Sequence, residues 1–595
     1  MALRGAESPV ERRLDLGHLC WLVSLCLLLV FLALEPLLSF SLFGSDTGEY
    51  YRLTSALVSG GHLPTGSGYL GWGFAYPDFP GIFVLSAAGS QALGLDPLTA
   101  LTTIIPVVSV LSVLPLFLLF RRLFPNDAIA ILGAGFASVF MPRMFSLAHP
   151  APLTLGDFLV VGALWMFIEG RRDSRWYLPL TLTAIALVVT HHLSSYFFLA
   201  SALGAFVLLE LWRPGLWSLR FPTRELVFLG GFVLGLLAYW SVDATSFLPI
   251  LSQGSNGLPA GAVVVGAAVA ALLFLAFVGL AIRWRRRRAD DHRRWRVTFP
   301  SDRSVLRDGI VILSALFAGV GLLIVVPLPA TAQTTVPAAV LFFSPLLASI
   351  PLASGTRRLM TLGRISPWFI TWLLALGLSA VFALATNNAE ILPSRHPEYL
   401  LIPVGFLLAL GGARLVARWS DRAGRRALVA GSLGLVVLLA ANAAIVYPPP
   451  SDLGGFQEGL THSDAALWMW VGLAIPTTAV VASDHRLSSM IFGFDGNRAT
   501  WDSTPALFTG KSPAAAFSEL RGANAPHTLP ALLPVNVVAV DGTMRSTGVA
   551  LDPGAPALPL SSNASVWLSG PPFVALYENG PEAVYWVDAP LIPAS

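Results

Sequence analysis

The sequence is poor in charge. Asp, Glu, Lys and Arg make up only 12% of its 595 residues, about half the share usual in soluble domains, while 55% are hydrophobic and mean hydropathy is +0.69. This excludes an ordinary soluble enzyme and points to a polytopic membrane protein. Lysine is nearly absent, with Lys511 the single instance, which reads as the mark of a GC-rich genome and not of a function. Cysteine is equally scarce: Cys20 and Cys26 both lie inside the first apolar run, where they make no disulfide framework and no metal-ligand spacing. No internal repeat is visible.

Long apolar runs are what the chain has in place of charge. The first, Gly17 to Phe43, follows Arg4, Arg12 and Arg13 and is too long for the apolar part of a cleavable signal, so it reads as a retained first span. Further spans are expected at Pro97–Phe120, Asp127–Phe145, Leu153–Glu169, Tyr177–Thr190, Ser194–Trp212, Glu225–Leu251 and Gly261–Ile282. Gly309–Leu328, Val336–Ala353, Trp368–Thr386, Tyr399–Leu415 and Leu428–Val446 complete a set of about thirteen helices. Phe79–Leu95 is short and follows "YPDFPG"; it reads as an interfacial helix.

Tracing the chain in and out puts 29 of the 37 Lys and Arg residues on one side, including the run "RWRRRRADDHRRWR" from Arg283 to Arg296. By the positive-inside rule that side is cytoplasmic, which makes the N-terminus cytoplasmic and the C-terminal region extracytoplasmic. The expected organisation is a membrane domain over residues 1–447, with a first outer loop and interfacial helix at 44–96, and a small mixed α/β domain over 448–595. In that domain "VNVVAV" reads as a strand, and "FVALYENGPEAVYWV" as two strands joined at Asn579-Gly580.

Only Arg52, Arg143 and Arg395 fall on the outer face of the membrane domain, against the topological bias. Basic residues so placed, with acids nearby, point to an anion site at the outer membrane surface. Asp46 and Glu49 lie in the first outer loop, within "FGSDTGEYYRLTSALVSGGHLP", where carboxylates would orient or deprotonate a nucleophile or hold a divalent cation. Arg395, in "ILPSRHPEYLLIP", is planar, permanently charged and suited to phosphate, with His396 beside it. His191 and His192 sit at the outer tip between the fifth and sixth spans; adjacent on a helix, they cannot both face one metal.

The stretch "DTGEYYRLTSALVSGG", with Asp46, Tyr51, Arg52, Gly61 and Pro64, resembles the first outer loop of the oligosaccharyltransferase catalytic subunit. "AYPDFPG" and "LFRRLFP" follow in the order of the GT-C glycosyltransferase fold, and "AALWMWVGLAIPTTAVVASDHRLSSMIFGFDGNRATWD" is similar to the start of that family's outer domain. The resemblance covers the whole architecture but matches residue by residue only in short patches. Two departures stand out. After "VVAS" the family has Trp-Trp-Asp-Tyr-Gly, and this chain has Asp484, His485, Arg486, Leu487 and Ser488. The family's second acidic motif is replaced by "PRMFSLAHPAPLTLGD", whose polar candidates are His149 and Asp157.

The resemblance therefore implies a GT-C-like membrane enzyme with an acceptor other than the sequon. It would take sugar from a polyprenyl-phosphate or -diphosphate donor to an extracytoplasmic glycan, lipid or protein. Asp46 and Glu49 are the expected catalytic acids. Arg395, His396, Arg52 and Arg143 are the expected phosphate contacts, and His149, His191 and His192 the expected substrate contacts. Mg2+ or Mn2+ held by Asp46 and Asp157 is the expected cofactor, as in metal-dependent members. Partners are the lipid-linked donor, the acceptor and membrane lipids, with no nucleic acid; the location is the plasma membrane. A transporter or flippase for a lipid-linked or small anionic substrate is the alternative, and a non-catalytic assembly subunit the third reading. Cysteines introduced at Ser451 and Ala289 test the topology: an impermeant thiol reagent should label the first and not the second in intact cells. Equal protection of both would contradict the span count.

Overall fold

The computed structural model describes residues 14–64, 72–124, 126–212, 222–248, 260–291, 349–361, 368–386, 395–450, 457–500, 504–521, 535–549 and 558–587. Among them, eight helices are long and apolar enough to cross a membrane, or nine if one bent pair is a single span. The expected span Gly309–Leu328, most of Val336–Ala353 and the arginine run past Asp291 lie outside the described residues.

Several spans differ from expectation, each for a local reason. Asp127–Phe145 is broken into Asp127–Val139 and Met141–Leu147, bent by 73°. Pro142, which has no N–H to give, sits in the first turn of the second piece, so a new helix starts there. Tyr177–Val188 is shorter than expected. His192–Leu199 runs through a π-helical turn, Ala200–Gly204, into Ala205–Trp212. The helix from Ser349 continues to Thr361, past the expected end at Ala353, and the helix after Arg395 runs from His396 to Ala423, longer than expected at both ends.

The charged residues at the arginine-rich ends of the spans are paired across helices. Arg121 meets Asp127 at 2.8 Å, Arg122 meets Glu169 at 3.0 Å, and Arg171 reaches both Glu210 (3.3 Å) and Glu225 (3.1 Å). Pairing is what permits charge so close to a low-dielectric interior. The span Pro152–Gly170 has Arg171 at one end and His149 just before the other. Its 19 residues, at a rise of about 1.5 Å each, separate the two ends by roughly 28 Å.

At the end opposite Arg171, β1 (Leu42–Phe43) leaves the first span and pairs antiparallel with β2 (Gly459–Leu460), Phe43 opposite Gly459. The C-terminal region is thereby fastened to the first loop. Its sheet is ordered β4-β3-β5-β7-β6, formed by β3 (Val480–Ala482), β4 (Arg498–Thr500), β5 (Val535–Val540), β6 (Phe573–Asn579) and β7 (Glu582–Val587). β3 runs parallel to β4 and β5, and β7 antiparallel to β5 and β6. The Val-rich β5 is covered on both faces, as parallel pairing requires. Gly580, at φ +63°, makes the β6–β7 turn. One face of the sheet packs on the helix His462–Ala474 and the segment Leu487–Phe492; Phe508, Phe517, Met544 and Leu568 cover the other.

That segment is the seam with the membrane domain. The helix His485–Met490 passes into a π-helical turn, Ile491–Asp495, and lies directly on the loop helix Thr47–Gly60. The approach is backbone to backbone. A Cβ on Gly48 would come within 2.2 Å of the Ser489 carbonyl oxygen, and a Cβ on Gly493 within 1.9 Å of the Gly48 carbonyl oxygen. Only glycine fits at either place. Gly493→Ala should therefore force the two elements apart and lower the melting temperature of the purified protein, at a cost of about 1–3 kcal/mol typical of overpacking. An unchanged melting curve would show that the seam gives way freely.

Candidate functional site

The site begins where the first span ends. Asp46 immediately precedes the loop helix, and Tyr50, one turn on, donates its hydroxyl to Asp46 Oδ2 at 3.1 Å. Tyr76, from the turn Trp72–Asp78, donates to the same oxygen at 3.0 Å, and its ring meets Tyr50 edge-on at 4.9 Å. Burial first, then the Asp46 charge, holds both phenols well above their usual range, so they remain donors. The other oxygen, Oδ1, is 2.7 Å from His485 Nε2. Burial alone would discharge this imidazole, but Asp46, Glu458 and Asp484 outweigh it and hold it above its usual range. The Asp46 side chain keeps 18% of its surface exposed, enough to meet a substrate group.

His485 is held firmly by its own chain. Asp484 caps the helix His485–Met490 by accepting from the Leu487 N–H at 3.0 Å. Arg486 bridges Asp484 (3.1 Å) and Asp541 (2.7 Å), and all three are fully buried. Its Nη1 also donates to the Gly459 carbonyl at 3.4 Å. The β1–β2 register then sets Glu458 beside the loop, where it accepts from the Ser45 N–H at 2.7 Å and stands 3.6 Å from His149. Burial opposes its ionisation, yet His149 and Ser45 prevail and hold it down at about 2. His149 also stacks on Phe43, with ring centres 4.7 Å apart.

A second group lies at the start of the helix His396–Ala423. Arg395, a third exposed, pairs with Glu398 at 3.1 Å, and Glu398 also accepts from Ser146 at 2.8 Å. Arg143 pairs with Asp157 at 2.7 Å and donates to Ser112 at 3.3 Å. Arg395 is within electrostatic reach of Glu458 and Asp157, which links the two groups.

The structure brings Asp46, His149, Arg395, Asp157 and Arg143 towards one region, but not in the expected roles throughout. Asp157, expected as a metal ligand with Asp46, is neutralised by Arg143. Arg143, expected as a phosphate contact, has no exposed surface. Two opposite charges facing each other among buried helices are far cheaper paired than separate. Glu49 is buried under the docked segment and neither of its carboxylate oxygens has a hydrogen-bond partner among the described residues. Burial, then the Asp46 charge, pushes its carboxyl well up. Arg52 spans the seam, donating to the Phe492 carbonyl at 3.1 Å with its guanidinium 4.3 Å from the Phe492 ring centre. His191 caps the helix from His192 through Ser194, His192 stacks between Phe79 (5.4 Å) and Phe247 (4.4 Å), and His396 is buried against Ser379 at 2.8 Å.

His485, Glu458 and Glu398 were not among the residues singled out from sequence. The signal for His485 was the replaced Trp-Trp-Asp-Tyr-Gly segment itself. A pair between residues 439 positions apart has no local pattern.

Mg2+ and Mn2+ need open oxygen donors. Asp46 already faces Tyr50 and Tyr76 at one oxygen and His485 at the other, and Asp157 faces Arg143 with one oxygen while its other has no hydrogen-bond partner among the described residues. Among the described residues no three or more His, Cys, Asp or Glu side chains converge on one point. In this arrangement Asp46 and Asp157, each closed on a basic partner, do not together form a divalent-cation site.

The spans and the docked sheet define a multi-pass membrane protein that shares its GT-C-like fold with archaeal oligosaccharyltransferases of known structure. An archaeal oligosaccharyltransferase, AglB from Archaeoglobus fulgidus, solved with an inhibitory peptide and a dolichol-phosphate, matches at a TM-score of 0.56 and 15% identity. The match covers 98% of this chain and 75% of that one. An oligosaccharyltransferase from the same organism, tethered to an acceptor peptide containing the NVT sequon, matches at 0.56 and 16% over 89% and 69%. One in complex with zinc and sulfate matches at 0.54 and 16% over 87% and 67%. No family model matches the chain, and no curated protein matches it by sequence.

The depressed carboxyl of Glu458 carries a pH dependence. Its folded value lies below the unfolded one, so its stabilisation is complete above about pH 4.5 and is lost as pH falls towards about 2. Glu458→Gln should melt lower than the parent at neutral pH, by an equivalent of roughly 3 kcal/mol. The gap should shrink steadily between pH 4.5 and 3. A gap independent of pH would separate Glu458 from the His149 and Ser45 contacts.

Proposed function

We propose that this protein is an integral-membrane glycosyltransferase that moves sugar from a polyprenyl-phosphate or -diphosphate carrier to an extracytoplasmic glycan, lipid or protein. The observation that carries the reading is Asp46: a partly exposed carboxylate, fixed by His485, Tyr50 and Tyr76 at the junction of first loop and C-terminal sheet, on a GT-C fold. The dolichol-phosphate and acceptor peptides described for the archaeal structures support the same donor and acceptor classes here. In this reading residues 1–447 form the membrane domain, residues 448–595 form an extracytoplasmic domain, and the N-terminus is cytoplasmic.

The chemistry asked of the site is substitution at the anomeric carbon. An acceptor hydroxyl or amide hydrogen-bonds Asp46, which orients it and takes its proton as the new bond to carbon forms. The bond from that carbon to the carrier phosphate breaks, and its electron pair stays on the phosphate oxygen. Arg395 is the cation suited to that charge: its exposed third is available while Glu398 steadies the rest.

Asp46→Asn should preserve folding and lower transfer from a purified lipid-linked donor by at least ~100-fold, the scale of a lost general base. Arg395→Lys should weaken donor binding as well as transfer, since an ammonium cannot make the planar two-point contact. Wild-type turnover in Asp46→Asn would remove that residue from the site, and unchanged donor affinity in Arg395→Lys would return Arg395 to lipid headgroups.

A further inference from the structure

Four carboxylates in or beside this site each face a basic side chain. Asp46 has His485 at 2.7 Å, Glu458 has His149 at 3.6 Å, Glu398 has Arg395 at 3.1 Å, and Asp157 has Arg143 at 2.7 Å. A fifth, Glu49, is buried with neither oxygen hydrogen-bonded among the described residues, and burial pushes its carboxyl up, so it offers no charged oxygen to a metal; Arg52 lies within electrostatic reach one turn along the loop helix. A divalent-cation site needs the reverse, a surplus of carboxylate oxygens turned to a common centre. His485 is also no movable cover. Its neighbours Asp484 and Arg486 are locked with Asp541 in full burial, and the Gly48–Gly493 contact holds the helix that carries it against the loop.

We infer that His485 takes the place of a divalent cation on Asp46, so that this site transfers sugar without bound metal. His485 is then a positioning residue: it fixes Oδ1 and leaves the exposed part of the carboxylate turned to the acceptor. The transfer measurements rest on the glycosyltransferase reading, whereas the metal-binding measurement does not, so the two ideas fail separately.

The full-length protein, purified in detergent and freed of metal with EDTA, is titrated with Mn2+ while free Mn2+ is followed by electron paramagnetic resonance. The expected result is no saturable site up to about 1 mM Mn2+. Transfer in EDTA should lie within about twofold of transfer with Mg2+ or Mn2+. His485→Ala should lower kcat by ~10-fold or more, with the donor KM moved by less than about threefold, the pattern of a residue that acts on the reacting carboxylate rather than on donor binding. One equivalent of Mn2+ bound by the parent and lost in Asp46→Asn would overturn the inference. So would transfer abolished by EDTA and restored by metal, or a His485→Ala enzyme with parental kcat. Should His485→Ala fail to fold, the Mn2+ titration of the parent still decides.

Discussion

The contact between Gly48 and Gly493 is the constraint on which the site depends. Two backbones meet there with no room for a methyl group between them. Because the loop helix carries Asp46 and the docked segment carries His485, that approach brings an imidazole from the C-terminal region to 2.7 Å from a carboxylate at the end of the first span. The β1–β2 pairing makes a second fastening nearby and sets the register of Glu458. Arg52 adds a third, reaching across to Phe492. Positions over four hundred residues apart are thus held to hydrogen-bond tolerance, the precision that proximity catalysis requires.

Charge is scarce in this chain, and several of its buried charged side chains are paired. At the arginine-rich ends, Arg121, Arg122 and Arg171 tie neighbouring helices to acids. At the other end the same pairing recurs within the site, at Asp46, Glu458, Glu398 and Asp157. The physical reason is common to both: an unpaired charge away from water costs several kcal/mol, and a well-formed pair removes most of that penalty. The consequence differs with exposure. Arg143 and Asp157, fully buried, are closed on each other, whereas Asp46 and Arg395 each keep part of the side chain exposed.

The C-terminal sheet serves as the scaffold for one residue above all. β3 delivers the chain to Asp484, the capped helix turns His485 outward to the loop, and the Arg486 bridge to Asp541 ties that helix to the end of β5. The loop that carries Asp46 and the segment that carries His485 thus meet at the Asp46–His485 pair.

Apolar length and arginine spacing were enough to show, from sequence, a helical membrane protein with a small C-terminal α/β region. The reason is that spans and strands are encoded in local patterns of hydrophobicity. β5, β6 and β7 fall where "VNVVAV" and the two runs flanking an Asn-Gly turn placed them. Span ends were less legible, because the 73° bend before Pro142 and the π-helical turn at Ala200–Gly204 answer to packing as well as to local sequence. Asp46 and Arg395 could be singled out because unusual charge in an apolar chain is conspicuous, and His149 because it stands where the resembled family has its second acidic motif. Their partners could not. Whether a histidine at 485 faces Asp46, or an arginine at 143 faces Asp157 and not a phosphate, depends on which backbones touch, and that was decided only by the tertiary structure, through glycines that let two distant elements meet.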